Sequence, residues 1–163
     1  MTPQPVIRRL ATAEEAASCA ELMAASEPWV TLGRSAEASL RIIQDPSREV
    51  YLARQGNDLA GFIILCMVGP FVGYIQTVCV SPDRRGRGLG SLLVAWAEAR
   101  IFRESPNVFM CVSSFNDGAR RLYQRLGYRV VGTLEDYLVP GHGEILLRKS
   151  RGPWSQFRPD AQA

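Results

Sequence analysis

The sequence is poor in lysine and histidine: among its 163 residues, Lys149 is the single lysine and His142 the single histidine. A histidine-rich metal site is thereby excluded. No zinc site is predicted either, because such sites usually combine histidine with closely spaced cysteines. The four cysteines, at positions 19, 66, 79 and 111, form no Cys-x-x-Cys pair and lie in apolar stretches. We therefore expect four reduced thiols in the core.

Long hydrophobic runs are also absent. No apolar stretch has the ~20 residues that a membrane-spanning helix needs, and residues 1–4 lack the basic and apolar regions of a signal peptide. We expect a cytoplasmic protein without a membrane partner. The net charge of +3 is too small to require a nucleic-acid partner. All basic residues except Lys149 are arginine, and four lie in or just after one glycine-rich segment: Arg84, Arg85, Arg87 and Arg100.

Hydrophobic periodicity, capping residues and glycine or proline breaks predict one α/β domain over residues 1–150 and a loose tail over 151–163. No internal repeat and no linker is present. Residues 59–68 are almost wholly apolar, which is typical of a central strand buried on both faces. The predicted strands are 6–10, 49–54, 59–68, 74–80, 108–112, 128–134 and 144–147, and the predicted helices are 13–23, 35–43, 89–104 and 116–126.

The glycine-rich segment lies between a predicted strand and a predicted helix. A helix start exposes unpaired N–H groups and the positive end of the helix dipole, and glycines let the backbone approach an anion closely. Gly86, Gly88 and Gly90, with arginines between and before them, therefore predict a phosphate or pyrophosphate site. Neither common nucleotide motif fits, because the P-loop lysine is missing and the glycine spacing differs from the dinucleotide fingerprint. A turn that binds nothing and an RNA-binding arginine–glycine segment are the alternatives.

The segment Arg85-x-x-Gly88-x-Gly90, preceded by Val78 and Val80 at the strand end, resembles the signature of the GNAT acyltransferase superfamily. The resemblance implies that main-chain amides of the loop hold the pyrophosphate of coenzyme A. It also implies that the preceding strand is splayed from its neighbour, so that its backbone pairs with the pantetheine arm. The implied coenzyme-binding residues in this region are Val78, Cys79, Val80, Arg85, Gly86, Arg87, Gly88, Leu89, Gly90 and Ser91.

A second segment, from Asn116 to Tyr128, is similar to the second GNAT motif. By periodicity alone, Ala119, Leu122, Tyr123 and Leu126 would form a packing stripe with a core tyrosine. The resemblance instead implies that Tyr123 is the catalytic residue that protonates the departing coenzyme A thiolate. It implies that Asn116 hydrogen-bonds the pantetheine or helps to place the acetyl group.

The resemblance implies an α/β GNAT fold, with a mixed sheet of about seven strands splayed at the acetyl-CoA site and about four helices. The implied activity is transfer of an acetyl group from acetyl-CoA to a primary amine. Because the sequence resembles bacterial ribosomal-protein alanine N-acetyltransferases, a protein N-terminus is the leading acceptor. A small-molecule amine is nearly as well supported, and a non-catalytic acetyl-CoA-binding sensor is a further alternative. A monomer or a homodimer is expected.

The general base is left open by the sequence. The relatives that it resembles carry a glutamate five residues before the motif asparagine, and Cys111 stands there. Other members carry a glutamate near the position of Tyr74. Further candidates are His142, Glu27, Glu49 and Asp136, and bound water is another possibility. On the acceptor side, the resemblance implies that Trp29 and Tyr137 line the pocket, although either residue would also suit an ordinary core.

Overall fold

A computed structural model describes residues 4–159 of the chain. Within that range, seven strands form one mixed sheet and four α-helices pack on it, which confirms the predicted fold class. The strands are β1 (Val6–Arg9), β2 (Arg48–Gln55), β3 (Asp58–Cys66), β4 (Tyr74–Val80), β5 (Asn107–Ser113), β6 (Arg129–Leu134) and β7 (Glu144–Ser150). The helices are α1 (Ala13–Ala24), α2 (Ala36–Ile43), α3 (Leu89–Ile101) and α4 (Asp117–Arg125).

Three of the four helices begin at a side chain that caps them. Thr12 accepts a hydrogen bond from the Glu15 N–H, and Ser35 accepts one from the Ala38 N–H. Asn116 does the same for the first turn of α4, at 3.3 Å from the Ala119 nitrogen. Each cap satisfies one of the N–H groups that a helix start leaves without a partner. These helices therefore start where the sequence predicts them.

The sheet has the strand order β1-β2-β3-β4-β5-β7-β6 and is covered on both faces. Successive side chains of a strand point to opposite faces, and β3 shows this clearly. Ile63 and Leu65 pack in the core under α3, whereas Phe62 and Ile64 pack in the core under α1 and α2. All four side chains are fully buried, which explains the uninterrupted apolar run in the sequence.

Strands β4 and β5 are parallel neighbours that separate after two residue pairs. Tyr74 pairs with Phe109 and Ile75 with Met110, and no later pair joins the two strands. Beyond that point β4 stays paired with β3 up to Val80, and β5 stays paired with β7 up to Ser113. The predicted splay is therefore present as a wedge-shaped gap, which opens toward the carboxyl ends of β4 and β5.

The last part of the chain differs from its sequence prediction. Strand β7 continues to Ser150 rather than to residue 147, because it pairs along its whole length with β5. In the predicted tail, the guanidinium of Arg151 lies 3.9 Å from the ring centroid of Phe102, and a short 3-10 turn covers Trp154–Gln156. Residues 160–163 of that tail lie outside the described range.

The described cysteines are all free thiols, but they occupy two environments. Cys19 and Cys79 are buried in the core under α1 and α2, as predicted. Cys66 and Cys111 are only half-buried, because both line a cavity rather than a core. Among the described residues, the longest α-helix has 13 residues, and none is both long enough and apolar enough to cross a membrane.

Candidate active site

The start of α3 is open to an anion. Gly88 precedes the helix in a left-handed conformation, with φ 81°, and a glycine adopts this conformation without steric cost. No side chain caps α3 and no acidic residue lies in its first turn. In contrast, α1, α2 and α4 each have a capping side chain and an acidic residue in the first turn. The N–H groups of Leu89, Gly90 and Ser91 therefore have no partner within the helix. They form a positive end that suits a phosphate.

The four arginines of the segment divide into two groups. Arg84 pairs with Asp58 and Asp83, and Arg100 pairs with Glu49 and Glu104. These two guanidinium groups are structural. Arg85 donates from Nε to the Val80 carbonyl at 3.1 Å, and Arg87 is exposed without a hydrogen bond or ion pair to another described residue. Only Arg85 and Arg87 are placed to add charge at the open end of α3.

Main-chain groups of β4 point into the gap. The Ser81 N–H donates to the Ala60 carbonyl of β3, and the antiparallel ladder alternates from there. The N–H groups of Thr77 and Cys79 therefore face β3, and those of Val78 and Val80 face the gap. The Cys79 side chain is buried on the α1 and α2 side. Cys79 thus presents no polar group to the gap, which argues against its predicted place in the coenzyme site.

A cavity of about 580 Å³ occupies the gap and extends to the loop between α1 and α2 and to the loop between β6 and β7. It brings together Val78, Asn116, Tyr123, Trp29 and Tyr137, all of which were predicted as site residues. Residues 85–91 do not line it, because they lie past the carboxyl end of β4. Thr77 also lines the cavity, and its buried Oγ1 atom has no hydrogen-bond partner among the described residues. A buried hydroxyl in that position is expected to bond a bound molecule.

Tyr123 lies on α4 with its ring against Tyr128, at 6.1 Å between ring centroids. Burial raises the pKa of Tyr123 to about 12, so the phenol is protonated at neutral pH. No hydrogen bond joins its hydroxyl to another described residue. The Tyr123 hydroxyl is therefore a proton donor that no hydrogen bond of the described structure occupies. Asn116 uses its carbonyl oxygen to cap α4, which leaves its amide nitrogen for a ligand.

Trp29 and Tyr137 lie at different depths of the cavity. Trp29 is buried at the bottom and is shared with the core under α1 and α2. Tyr137 is 60% exposed and stands at the mouth, as do the exposed side chains of Val68, Phe71 and Leu138. The cavity therefore opens through an apolar rim.

The general-base candidates of the sequence fall into two groups. Glu27, Tyr74 and Cys111 line the cavity, whereas Glu49, Asp136 and His142 do not. Glu49 is engaged with Arg100 and Tyr51, Asp136 accepts a hydrogen bond from the Gly141 N–H, and His142 packs against Phe115. Burial raises the pKa of both Tyr74 and Cys111, so neither is ionised near neutral pH.

Three charged residues of the cavity were missed by the sequence analysis: Glu144, Arg34 and Arg48. Glu144 is only 4% exposed, and Ser113 donates to its Oε1 at 2.6 Å. Burial raises the pKa of Glu144, against the opposing effects of Ser113 and Arg34. Arg34 lies in the same cavity, and burial lowers its pKa. The strand alternation offered a signal, because Glu144 shares a face with Leu146, opposite the core residues Ile145 and Leu147.

Comparison with known proteins agrees with this geometry. The profile of the acetyltransferase (GNAT) family matches residues 12–128. The chain is 29% identical to the N-alpha-acetyltransferase RimI of Mycobacterium tuberculosis over 157 residues, which is 91% of this chain and 95% of that protein. It is 30% identical to the S-(2-succino)cysteine N-acetyltransferase of Bacillus subtilis over 156 residues, 86% of this chain and 93% of that protein.

A similar fold occurs in a solved structure of an aminoglycoside 6'-N-acetyltransferase complexed with coenzyme A. The TM-score is 0.73, and the superposition covers 95% of this chain and 99% of that chain at 17% sequence identity. At that identity the likeness concerns the fold alone.

Proposed function

Because this chain belongs to the acetyltransferase (GNAT) family and is an acetyl-CoA-dependent N-acetyltransferase, we propose that its acceptor is the N-terminal amine of a protein or peptide. One observation carries the proposal: the gap between β4 and β5 leads from the uncapped start of α3 to a cavity that opens through an apolar rim. A peptide can place its first residue in the cavity and the following side chains against Val68, Phe71 and Tyr137. The similarity to RimI over nearly the full length of both chains supports the same acceptor.

The proposed coenzyme site follows the gap. Pyrophosphate binds the N–H groups of Leu89, Gly90 and Ser91, with charge from Arg85 and Arg87, and Gly86 and Gly88 keep the backbone close. The pantetheine arm pairs with the N–H groups of Val78 and Val80, and the Asn116 amide is within the same cavity. These contacts place the thioester beside Tyr123, in the region between Val78 and Asn116.

The chemistry requires few groups of the protein. Bound acetyl-CoA supplies a thioester, whose carbonyl carbon is attacked by the neutral amine. A main-chain N–H of β4 that faces the gap stabilises the oxyanion. Tyr123 gives its phenolic proton to the sulfur as the C–S bond breaks. A C–N bond forms, the amine loses one proton and the coenzyme thiol gains one.

A small amino-acid acceptor is the second candidate, and Arg34 favours it. This guanidinium lies in the cavity, partly buried, and makes no hydrogen bond or direct ion pair with another described residue. Such a charge is suited to bind a carboxylate. The Bacillus relative named for S-(2-succino)cysteine supports this class of acceptor. A cytoplasmic location and a monomeric or homodimeric state remain predictions.

An acceptor panel tests the proposal. Thiol release from acetyl-CoA is measured with a peptide that begins with alanine, with the same peptide carrying a blocked N-terminus, with S-(2-succino)cysteine and with spermidine. We expect the free peptide to be turned over and the blocked peptide to be inert. Turnover of S-(2-succino)cysteine alone would replace the first candidate by the second. No turnover of any amine would contradict both.

The arginines near α3 are expected to contribute charge rather than essential geometry. Arg87→Ala should weaken acetyl-CoA binding by about two- to fivefold at low ionic strength, as is usual for exposed charges at a helix end. The loss should shrink as salt rises, because salt screens exposed charges. Titration calorimetry at two salt concentrations measures both effects. Arg103→Ala, which removes an exposed charge beyond the other end of α3, is the matched control. A loss of binding as severe as that expected for Gly88→Val would show that the arginine side chains are the main ligands.

A further inference from the structure

Glu144 is a buried carboxylate with fewer hydrogen-bond donors around it than a buried carboxylate usually has. Among the described residues, only Ser113 donates a hydrogen bond to it, and that bond reaches Oε1. The side chain lines the cavity, and its Oε2 atom has no hydrogen-bond partner among the described residues. A buried carboxylate that is held by one hydroxyl and faces a cavity needs a further donor.

The position of Glu144 follows from strand register. In the β5–β7 ladder, Ser113 is opposite Glu144 and Cys111 is opposite Leu146. All four residues line the cavity, because alternate residues of paired strands share one face. Ser113 is the last residue of β5, on the side where β5 has separated from β4. Glu144 thus lies beside the open part of the gap, where Asn116 and Tyr123 also lie.

The other titratable groups of the cavity are poor proton acceptors. Tyr74, Tyr123 and the thiols of Cys66 and Cys111 have pKa values that burial raises, so they stay protonated. Arg34 and Arg48 are cations. Glu27 is exposed and is engaged by the N–H and hydroxyl of Thr31. Glu144 is the one carboxylate among these lining residues that is both buried and open to the cavity, and desolvation moves its pKa upward, toward the range that favours a general base.

We propose that Glu144 is the general base that takes the proton from the acceptor amine. The proposal rests on the proposed amine acetylation and adds the residue that the sequence left unassigned. In this step the amine nitrogen forms a bond to the acetyl carbon, and its N–H proton passes to Oε2 of Glu144. Tyr123 protonates the leaving sulfur. Solvent then takes the proton from Glu144 and returns one to Tyr123, so that both groups regain their starting states.

The pH dependence of turnover tests the assignment. With the alanine peptide as acceptor, Glu144→Gln should lower kcat/KM roughly a hundredfold at neutral pH, the usual range for a lost general base. The acidic limb of the kcat/KM profile that reports protonation of Glu144 should be missing from the variant. Acetyl-CoA should still raise the melting temperature of the variant. Glu21→Gln, which removes an exposed carboxylate of α1, should keep the wild-type rate and profile.

Two further variants change the pKa of Glu144 and keep its carboxylate in place. The charge of Arg34 and the hydroxyl of Ser113 both lower that pKa. Arg34→Gln and Ser113→Ala should therefore raise it and shift the acidic limb of the kcat/KM profile to higher pH. Cys111 and Tyr74 also face Glu144, but both are neutral at these pH values and should not move the limb. A purely structural role would lower the rate and leave the limb in place.

The outcomes separate the two proposals. Wild-type turnover of the peptide with an unchanged rate in Glu144→Gln would overturn the role of Glu144 and leave the acetyltransferase function intact. An acidic limb that stays fixed in both Arg34→Gln and Ser113→Ala would do the same, even if Glu144→Gln failed to fold. Absence of turnover for every amine of the panel in the wild-type protein would overturn the proposed function and, with it, the base.

Discussion

Tyr123→Phe is expected to lower kcat roughly a hundredfold or more, because the leaving thiolate loses its positioned proton donor. The Michaelis constants should change little, since the proton is needed only as the C–S bond breaks. Phenylalanine keeps the ring and its contact with Tyr128. Acetyl-CoA binding should therefore be retained. Steady-state kinetics and the melting temperature, measured on one preparation, check both parts.

Stability separates this role from that of a core tyrosine. The Tyr123 hydroxyl has no hydrogen bond to another described residue, so its removal leaves no buried partner unsatisfied. Tyr128→Phe is the matched control, because the Tyr128 hydroxyl donates to the Glu98 carboxylate at 2.9 Å. We expect Tyr128→Phe to lower the free energy of unfolding by about 1–3 kcal/mol and to leave kcat nearly unchanged. Near-wild-type kcat in Tyr123→Phe would remove Tyr123 from the mechanism and leave solvent as the proton source.

Gly88→Val is expected to abolish the stabilisation that acetyl-CoA confers on the wild-type fold, which is about 2.7 kcal/mol at a hundredfold excess of ligand over its Kd. Gly88 has φ 81°, and a β-branched side chain is strained there. Either the first turn of α3 rotates and its N–H groups move, or the new side chain occupies the space beside the phosphate. Thermal shift with and without acetyl-CoA measures the effect.

Substitution of a second glycine is the control for the effect of backbone strain alone. Gly152, which follows β7, has φ 140° and open space around the position that a Cβ atom would take, as Gly88 has. Gly152→Val should lower the melting temperature, and it should keep the full acetyl-CoA shift because Gly152 lies beside Phe102, at the end of α3 opposite to Gly88. If Gly88→Val also kept the full shift, the pyrophosphate would have to bind elsewhere.

The parts of the molecule that local signals control were predictable. The helix that starts at Asn116, the tight connection between β2 and β3 and the strand-loop-helix at Gly88 each depend on residues within a few positions of one another. Hydrophobic periodicity predicted all seven strands, although β7 was too short by three residues. Its extension to Ser150 depends on pairing with β5, which lies far away in the sequence.

The arginines near the glycine-rich loop also show what a sequence pattern leaves undecided. In the sequence, Arg84, Arg85, Arg87 and Arg100 formed one basic group near a glycine-rich loop. The tertiary structure removes Arg84 and Arg100 from it, because they bind carboxylates on β2 and β3, the carboxylate next to Arg84, and one in the segment that follows α3. A charge pattern along the chain cannot reveal which charges meet across elements.

The sequence by itself determined the family and predicted the coenzyme loop and the motif tyrosine, because each depends on a short run of residues with its own backbone requirement. Only the tertiary structure decided which carboxylate stands in the cavity. Glu144 meets Ser113 through the β5–β7 ladder, 31 positions apart in sequence, and Arg34 comes from the segment before α2. Cross-strand register and the burial of a charge are properties of the packed sheet, and no local pattern encodes them.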